Sequence, residues 1–292
     1  MLLRIVAIIF PLFAVVLAGY LYGRARRPDL TVANQMNLDV FVPALIFGAL
    51  ANRSFQLAEY SALALGGLAI VLVPGLLALP LSRWLGVQAK TFVPPMMFYN
   101  SGNLGLPLAV LAFGEQALAP AVVLFLITNL LHFSLGIWLL DHRARLRDLW
   151  RIPMLQAGAA GLAVSLLEID IWPPLMTAVK MLGDVSIPLV LFALGVRLTD
   201  ASFHAVGLGL AGAAVRPLAG MLVAAAAAWA LPLPPEQKSL LFVSGALPPA
   251  VLNYVVAERY RQEPEKVASI VLLGNIAALL FIPIALALVL EG

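Results

Sequence analysis

A short polar stretch interrupts the apolar run between Thr91 and Phe113, and its residue types point to the chemistry of binding. Residues 100–107 hold two Asn, one Ser, two Gly and one Pro. Their side chains can hydrogen-bond a solute but carry no fixed charge. In lipid, each backbone group freed by Gly or Pro costs on the order of several kcal/mol unless protein or water satisfies it. The stretch therefore predicts a broken membrane helix that faces a polar cavity, and the alternative is a proline kink with Asn bonded to a neighbouring helix.

A second apolar run, residues 238–260, is interrupted in the same way. Its Pro249 follows Pro107 by 142 residues, and Pro188 follows Pro43 by 145, so the two halves of the chain read as copies. Paired breaks at corresponding positions of two repeats are the strongest sequence indicator of a transporter's binding site. The candidate substrate-binding residues are Asn100, Ser101, Asn103, Gly105, Pro107, Pro248, Pro249 and Asn253.

The two breaks predict a site with a positive potential. Half-helix N-termini near Leu106 and Val251 would each carry about half a positive charge. That arrangement suits a carboxylate or another small anion. The half-helix C-termini near Tyr99 and Ala246 would offer carbonyl oxygens that suit a cation. For each Asn taken alone, the alternative role is a structural cap on a broken helix.

Ionisable residues inside the apolar runs are candidates for coupling or gating, because a charge in lipid is costly to maintain. His132 either couples a proton or is a packed core residue. Asp184 is either functional or satisfies backbone groups freed by Pro188. Arg216 either attracts the anion or pairs with an acidic side chain. Its alternative role is to hydrogen-bond the backbone carbonyl groups that Pro217 leaves without a donor. The full set of such candidates is Asp39, His132, Asp184 and Arg216.

Catalytic and metal-binding patterns do not occur in the sequence. The chain has three His and no Cys, and it lacks the HExxH, GxSxG and GxxxxGK[ST] motifs. We therefore predict no enzyme activity, no catalytic residue, no metal site and no cofactor. Coupling of transport to sodium or protons stays open.

Composition places the chain in a membrane. Of its 292 residues, 62% are hydrophobic and only 11% are charged, against about one quarter charged in soluble domains. We predict an all-α integral membrane protein with ten transmembrane helices, arranged as two inverted five-helix repeats with helices 4 and 9 broken and crossing. The first repeat is 1–141, a cytoplasmic linker is 142–152, and the second repeat is 153–292. The spans are about 2–23, 32–50, 60–81, 90–113, 117–140, 153–167, 175–196, 205–231, 238–260 and 267–290.

Basic residues give the orientation. Thirteen of the 18 Lys and Arg follow odd-numbered spans, and three lie at the N-terminus or after even-numbered spans. Because cytoplasmic loops are enriched in Lys and Arg, this asymmetry predicts both termini outside the plasma membrane. Five spans per half, an odd number, make the second repeat insert upside down relative to the first.

The polar stretches resemble those of the auxin efflux carrier family, within the bile acid/auxin/arsenite transporter superfamily. The similar motifs are residues 100–107 followed by Gly114, residues 248–254 followed by Ala257 and residues 258–260, residues 42–47 in span 2, and residues 187–189 in span 7. The resemblance implies a scaffold domain from spans 1, 2, 6 and 7, which often dimerises, and a transport domain from spans 3–5 and 8–10. It also implies that an organic acid binds at a crossover containing Asn103, Pro107, Pro249 and Asn253. The short linker is similar to the bacterial branch, whose substrates include malonate-like and malate-like dicarboxylates.

The sequence thus predicts a secondary transporter for a small organic anion. It would work by alternating access, of the elevator or rocking kind, in the bacterial inner membrane. Its expected partners are an organic acid, membrane lipid and a second copy of the chain bound through the scaffold domain, and no nucleic acid. One alternative is a ligand sensor or channel on the same scaffold. A second, an intramembrane enzyme, would need paired carboxylates or a His cluster at one depth.

Overall fold

The computed structural model describes residues 2–51, 57–142, 146–200 and 204–290, and α-helices form most of this part of the chain. The helices are α1 (Leu2–Arg26), α2 (Thr31–Met36), α3 (Val42–Leu50), α4 (Ser61–Trp84), α5 (Ala89–Met97), α6 (Leu106–Phe113), α7 (Leu118–Leu131), α8 (Ile137–Leu140), α9 (Pro153–Leu166), α10 (Pro173–Arg197), α11 (Val206–Ala230), α12 (Pro235–Gly245), α13 (Leu252–Arg259) and α14 (Pro264–Leu290). Arg53, Arg143 and Arg145, which contribute to the charge asymmetry, lie outside the described residues.

Seven helical segments among the described residues are long and apolar enough to cross a membrane. They are Leu3–Arg26, Thr31–Leu50, Ala58–Trp84, Glu115–Leu140, Pro173–Arg197, Val206–Ala230 and Pro264–Leu290. Large apolar side chains such as Phe10, Leu76, Leu222 and Leu279 are exposed on their outer faces. Exposed apolar surface of this extent is stable against lipid and not against water. The protein is therefore an integral, multi-pass membrane protein.

The three other predicted spans are not continuous helices of that length. Span 4 is divided into α5 and α6, and span 9 into α12 and α13. Span 6 corresponds to α9, which has 14 residues. At 1.5 Å per residue α9 is roughly 21 Å long, shorter than a hydrocarbon core of about 30 Å. The count of ten spans and the inverted repeat stay predictions, whereas the breaks in spans 4 and 9 are confirmed.

The long helices pack in two groups. In the first, α1 packs on α10, and α3 packs on both α9 and α10. In the second, α11 packs on α14, α12 and α4, while α4 also packs on α5 and α7. A Cβ atom built on Gly195 of α10 would lie 1.9 Å from the carbonyl oxygen of Val16 in α1. Glycine at this point lets the two backbones approach to direct contact, which is a common way for membrane helices to associate.

A polar cluster joins the start of α5 to the loop between α13 and α14. The Thr91 hydroxyl donates to Glu263 at 2.5 Å, and Lys266 donates to the other carboxylate oxygen of Glu263. Gln262 donates to Gln88 at 2.9 Å and to Thr91 at 3.0 Å. The bond from Lys266, and then that from Thr91, holds the pKa of Glu263 below its usual value of 4.5. The cluster ties one end of the first broken helix to the chain that follows the second.

This cluster predicts a small loss of stability in acid. A carboxylate with a lowered pKa stabilises the fold above its unfolded-state pKa, and this contribution disappears as pH falls through the folded-state pKa. We expect Glu263→Gln to cost about 1 kcal/mol or less at neutral pH and to flatten the stability profile below about pH 4.5. Melting temperatures in detergent between neutral and acid pH test this, with the exposed Glu265→Gln as control. A profile for Glu263→Gln that parallels the parent would contradict it.

Candidate functional site

The first broken helix is interrupted by a short extended segment. Helix α5 ends at Met97, and Phe98 has extended backbone angles, φ −97° and ψ 102°. A π-helical turn, Ser101–Gly105, then leads into α6. The side-chain oxygen of Asn100 accepts a hydrogen bond from the Asn103 N–H at 3.3 Å, so Asn100 caps the second half-helix. The break observed in this helix therefore begins just before the polar stretch 100–107 and extends into it.

The second broken helix is interrupted by a proline pair. Helix α12 ends at Gly245 and α13 begins at Leu252. Pro248 and Pro249 lie between them, and neither has an N–H with which to continue a helix. Both proline residues are buried. The sequence therefore forces a gap here, and the gap is enclosed by protein.

The two gaps pair with each other. The Asn100 N–H donates to the Pro248 carbonyl at 2.8 Å, and the Ala250 N–H donates to the Phe98 carbonyl at 2.9 Å. These bonds form an antiparallel bridge in which Tyr99 faces Pro249. Each gap thereby satisfies backbone groups of the other that would be costly to bury unpaired. We call this paired region, residues 98–101 and 246–250, the crossover.

Three buried Asn side chains complete the hydrogen bonding of the crossover. Asn253 donates to the carbonyls of Phe98 and Ala250, both at 2.9 Å. Asn275 of α14 donates to the Pro249 carbonyl at 3.1 Å, and its oxygen accepts from Asn100 at 3.0 Å. Asn253 thus bonds both gaps through its amide N–H groups, while its buried side-chain oxygen has no donor among the described residues, and its role in binding stays a prediction. Asn100 has a structural role and also borders the cavity described next.

A cavity of about 260 Å³ lies beside the crossover. The first turns of both second half-helices line it, through Ser101, Gly102 and Asn103 on one side and Val251 and Leu252 on the other. No Asp or Glu is among its described lining residues. The polar side chains that line it are Asn34, Asn37, Asn100, Ser101, Asn103, Thr128, Asn129, His132, Ser186 and Arg197. Two helix N-termini, one cation and no carboxylate favour an anionic guest.

Three π-helical turns of the described chain all border this cavity. They are Asn37–Phe41, Ser101–Gly105 and His132–Gly136. A π-helical turn inserts one residue into an α-helix and redirects the side chains on it, and such turns often occur at functional sites. Asn37 in the first turn is buried, and its side-chain oxygen has no hydrogen-bond donor among the described residues. This oxygen is enclosed by protein, at a residue that lines the cavity.

Five of the eight predicted binding residues do not line the cavity: Gly105, Pro107, Pro248, Pro249 and Asn253. Gly105 packs against Leu247, where an added Cβ would lie 3.0 Å from the Leu247 side chain. Pro107 lines a separate apolar groove. Pro248 and Pro249 are buried in the crossover itself. The structure thus brings three predicted residues, Asn100, Ser101 and Asn103, to the cavity wall.

The four ionisable candidates lie in different environments. His132 is buried at the cavity and stacks on Phe98, with ring centroids 4.1 Å apart and planes 8° apart. Asp39 is exposed and accepts a hydrogen bond from Gln35 at 2.7 Å. Asp184 is exposed and forms an ion pair with Lys180 at 3.4 Å. Neither carboxylate lines the cavity.

Arg216 is not among the residues that line the cavity. It is 0% exposed and its Nη1 donates to the Gly245 carbonyl at 3.4 Å. Its guanidinium also lies over the Tyr99 ring, 5.0 Å from the centroid. Of the roles considered for Arg216, the bonding of a loose carbonyl is the one that this geometry favours.

Sequence reasoning missed Asn275 of the crossover and six polar residues that line the cavity, Asn34, Asn37, Thr128, Asn129, Ser186 and Arg197. Asn37 and Asn275 are polar residues within apolar spans, so a signal for them existed. Arg197 ends α10, where a basic residue usually marks the membrane interface. Only the packing of α10 beside the crossover brings Arg197 to the cavity wall.

Comparison with known proteins is consistent with this geometry. A family described as "Membrane transport protein" matches residues 146–286. An uncharacterized transporter of Methanocaldococcus jannaschii is 24% identical over 289 residues, which cover 91% of this chain and 93% of the relative. Similarity over nearly the full length of both chains means that both halves of the crossover lie within the shared region.

Proposed function

We propose, from its similarity to membrane transport proteins, that this chain belongs to the auxin efflux carrier family and is a secondary transporter for a small organic anion. The substrate class that fits best is a carboxylate. One observation carries the proposal: the first turns of two half-helices border one cavity whose described lining includes Arg197 and no carboxylate. Such a cavity stabilises a negative charge through helix dipoles and backbone N–H groups.

The polar side chains suggest how the anion is held. Ser101 and Asn103 lie in the first turn after the crossover, beside the N-terminus of a half-helix. Asn37 faces them from the other group of helices with an unused oxygen. We propose that Ser101 and Asn103 bind the carboxylate and that Asn37 binds a hydroxyl or a second polar group of the substrate. Asn100 borders the same volume, whereas Gly105, Pro107, Pro248, Pro249 and Asn253 act by shaping the crossover.

Alternating access would follow from the position of the cavity between two groups of helices. Residues of α2, α9 and α10 line one wall, and the crossover lines the other. A second cavity of about 600 Å³ shares Leu194, Arg197, Val251 and Val255 with the first. A third, of about 390 Å³, lies farther towards the start of α10, beside Lys180 and Asp184. Movement of the crossover along α10 would expose the anion alternately towards these two ends.

The proposal keeps the finer architecture expected from sequence. Ten spans in two inverted repeats would place the crossover near the middle of the membrane, with both termini outside. Spans 1, 2, 6 and 7 would form a scaffold that dimerises, and spans 3–5 and 8–10 a transport domain that moves in elevator fashion. The two packing groups of helices support this division. The inner membrane is the proposed location.

A thermal-shift screen of the detergent-purified protein tests the substrate class. Mono- and dicarboxylates, including malonate and malate, are compared with organic cations of similar size, each in sodium and in potassium salts. A ligand at one hundred times its Kd stabilises the folded state by about 2.7 kcal/mol. We expect a carboxylate to raise the melting temperature and a cation not to. Stabilisation by cations alone would overturn the carboxylate assignment, and conductance without saturation in a bilayer would favour a channel.

Asn103 provides a sharper test at the level of one side chain. Loss of one hydrogen bond to a charged group costs about 1.5 kcal/mol, or roughly tenfold in Kd. We therefore expect Asn103→Ala to weaken binding of the stabilising carboxylate by about this factor with little change in melting temperature without ligand. Asp29→Asn, which alters an exposed residue that lines none of the three cavities, is the control and should bind like the parent. Equal affinity in both variants would remove Asn103 from the site.

A further inference from the structure

Arg216 is a fully buried cation to which the proposed binding site gives no role. It belongs to α11, and its Nη1 reaches the carbonyl of Gly245, the last residue of α12. Its Nε and Nη2 atoms have no hydrogen-bond acceptor among the described residues. None of the ion pairs found among those residues involves Arg216. A buried charge without a partner is very costly. Because no carboxylate pairs with Arg216 among the described residues, other groups must stabilise its positive charge.

The compensation comes from both broken helices at once. Gly245 ends α12, and Tyr99, whose ring lies 5.0 Å from the guanidinium, follows the end of α5 by two residues. The C-terminus of α12, whose last carbonyl accepts from Nη1, carries roughly half a negative charge. The electron-rich face of the Tyr99 ring adds a further attraction. One guanidinium, which stays protonated in proteins, is therefore attracted by both broken helices, through the end of α12 and through the ring that follows α5.

Half-helix C-termini such as these are where other carriers bind a coupling cation. In discontinuous transporter helices, half-helix C-termini and unwound carbonyls coordinate Na⁺ or accept a proton's charge. We propose that Arg216 is a tethered cation that takes this place, so that the carrier moves its anion without sodium. The inference rests on the proposed function for its meaning in transport. Its structural part, a covalently attached cation at the crossover, stands on the contacts of Arg216 alone.

Chemical rescue tests the structural part without any substrate. Arg216→Ala removes the guanidinium from the end of α12 and the Tyr99 ring, and we expect its melting temperature to fall by about 5–10 °C. Low-millimolar ethylguanidinium should recover much of this loss, because it restores both the charge and the fork of donors. Ethylammonium should recover less, and the parent should respond to neither. The control is Arg83→Ala, an exposed arginine that lines none of the three cavities, and ethylguanidinium should leave its melting temperature unchanged.

Two further variants separate charge from volume and keep the test decisive if Arg216→Ala does not fold. Arg216→Lys retains a charge, and Arg216→Met retains the apolar bulk. We expect the Lys variant to be the more stable of the two. A Met variant as stable as the parent, or ethylguanidinium rescue no greater than that of ethylammonium, would overturn the proposal.

The transport part is tested with the parent protein in proteoliposomes. Uptake of radiolabelled malonate should be the same when sodium chloride is replaced by potassium or choline chloride. Uptake that is lost without sodium would overturn the tethered cation while leaving the carrier proposal intact. The reverse outcome is also distinguishable. If ethylguanidinium rescues Arg216→Ala but the parent protein binds no carboxylate, the structural role of Arg216 holds and the proposed substrate class fails.

Discussion

Gly220→Ala is expected to prevent assembly of the crossover, with no monodisperse protein recovered in detergent or a melting temperature far below that of the parent. A Cβ atom on Gly220 would lie 2.1 Å from the Gly245 carbonyl oxygen and 2.2 Å from Nη1 of Arg216. The first of these contacts is with backbone, which cannot move without displacing the end of α12. Overpacking of a core typically costs about 1–3 kcal/mol and more where the backbone must shift. Here the same methyl group also separates Arg216 from its acceptor.

The matched control for this variant is Gly207→Ala in the same helix. A Cβ atom at Gly207 has no neighbour within 4 Å. Alanine is also the better helix former, so this variant should be as stable as the parent or slightly more stable. Size-exclusion profiles and melting temperatures of the two variants, measured side by side, test whether the contact at Gly220 is needed for assembly. Gly220→Ala behaving like Gly207→Ala would mean that the close contact of α11 with α12 does not hold the crossover together.

Asn275→Ala is expected to lower the free energy of unfolding by about 2–4 kcal/mol. The variant deprives the Pro249 carbonyl of its donor and the Asn100 amide of its acceptor. Each buried polar group left without a partner costs about 1–3 kcal/mol. Because Asn100 and Pro249 belong to different broken helices, the loss should also loosen their pairing. Faster proteolysis at the crossover would be a second sign of the same effect.

A comparison with Asn129→Ala distinguishes this network from the general loss of a buried amide. Asn129 is also buried in a membrane helix, but its amide donates to Phe125 one turn earlier in the same helix. Its removal should cost clearly less than that of Asn275. The double variant Asn100→Ala, Asn275→Ala should cost less than the sum of the two single variants, since the pair shares one hydrogen bond at 3.0 Å. Strict additivity would show that the bond between them contributes nothing.

Local composition was enough to locate the interruptions of the two helices. A Gly or a Pro in an apolar run weakens the helix at that residue whatever surrounds it, and Pro248 and Pro249 lack the N–H that a helix needs. The predicted helix ends near Tyr99, Leu106, Ala246 and Val251 lie within two residues of the observed ones. Membrane insertion follows from composition in the same way, because the cost of charge in lipid is a property of each residue.

The roles of individual polar residues depended on packing instead. Asp39 and Asp184 occur in apolar spans like His132, yet both are exposed and neither lines the cavity. The three π-helical turns around the cavity have no sequence signature, because they arise where an inserted residue is accommodated by neighbouring helices. Arg197 reaches the cavity only because α10 runs beside the crossover.

By itself, then, the sequence determined where the backbone must break and that lipid surrounds the chain, since both depend on the transfer and torsional preferences of single residues. The tertiary structure alone decided that the two gaps hydrogen-bond to each other, that Asn275 closes the network, and that Arg216 contacts the end of α12 and the Tyr99 ring and does not line the cavity. These contacts join residues as far as 175 positions apart along the chain. Their partners are chosen by the shapes of helices that pack together, which no local pattern encodes.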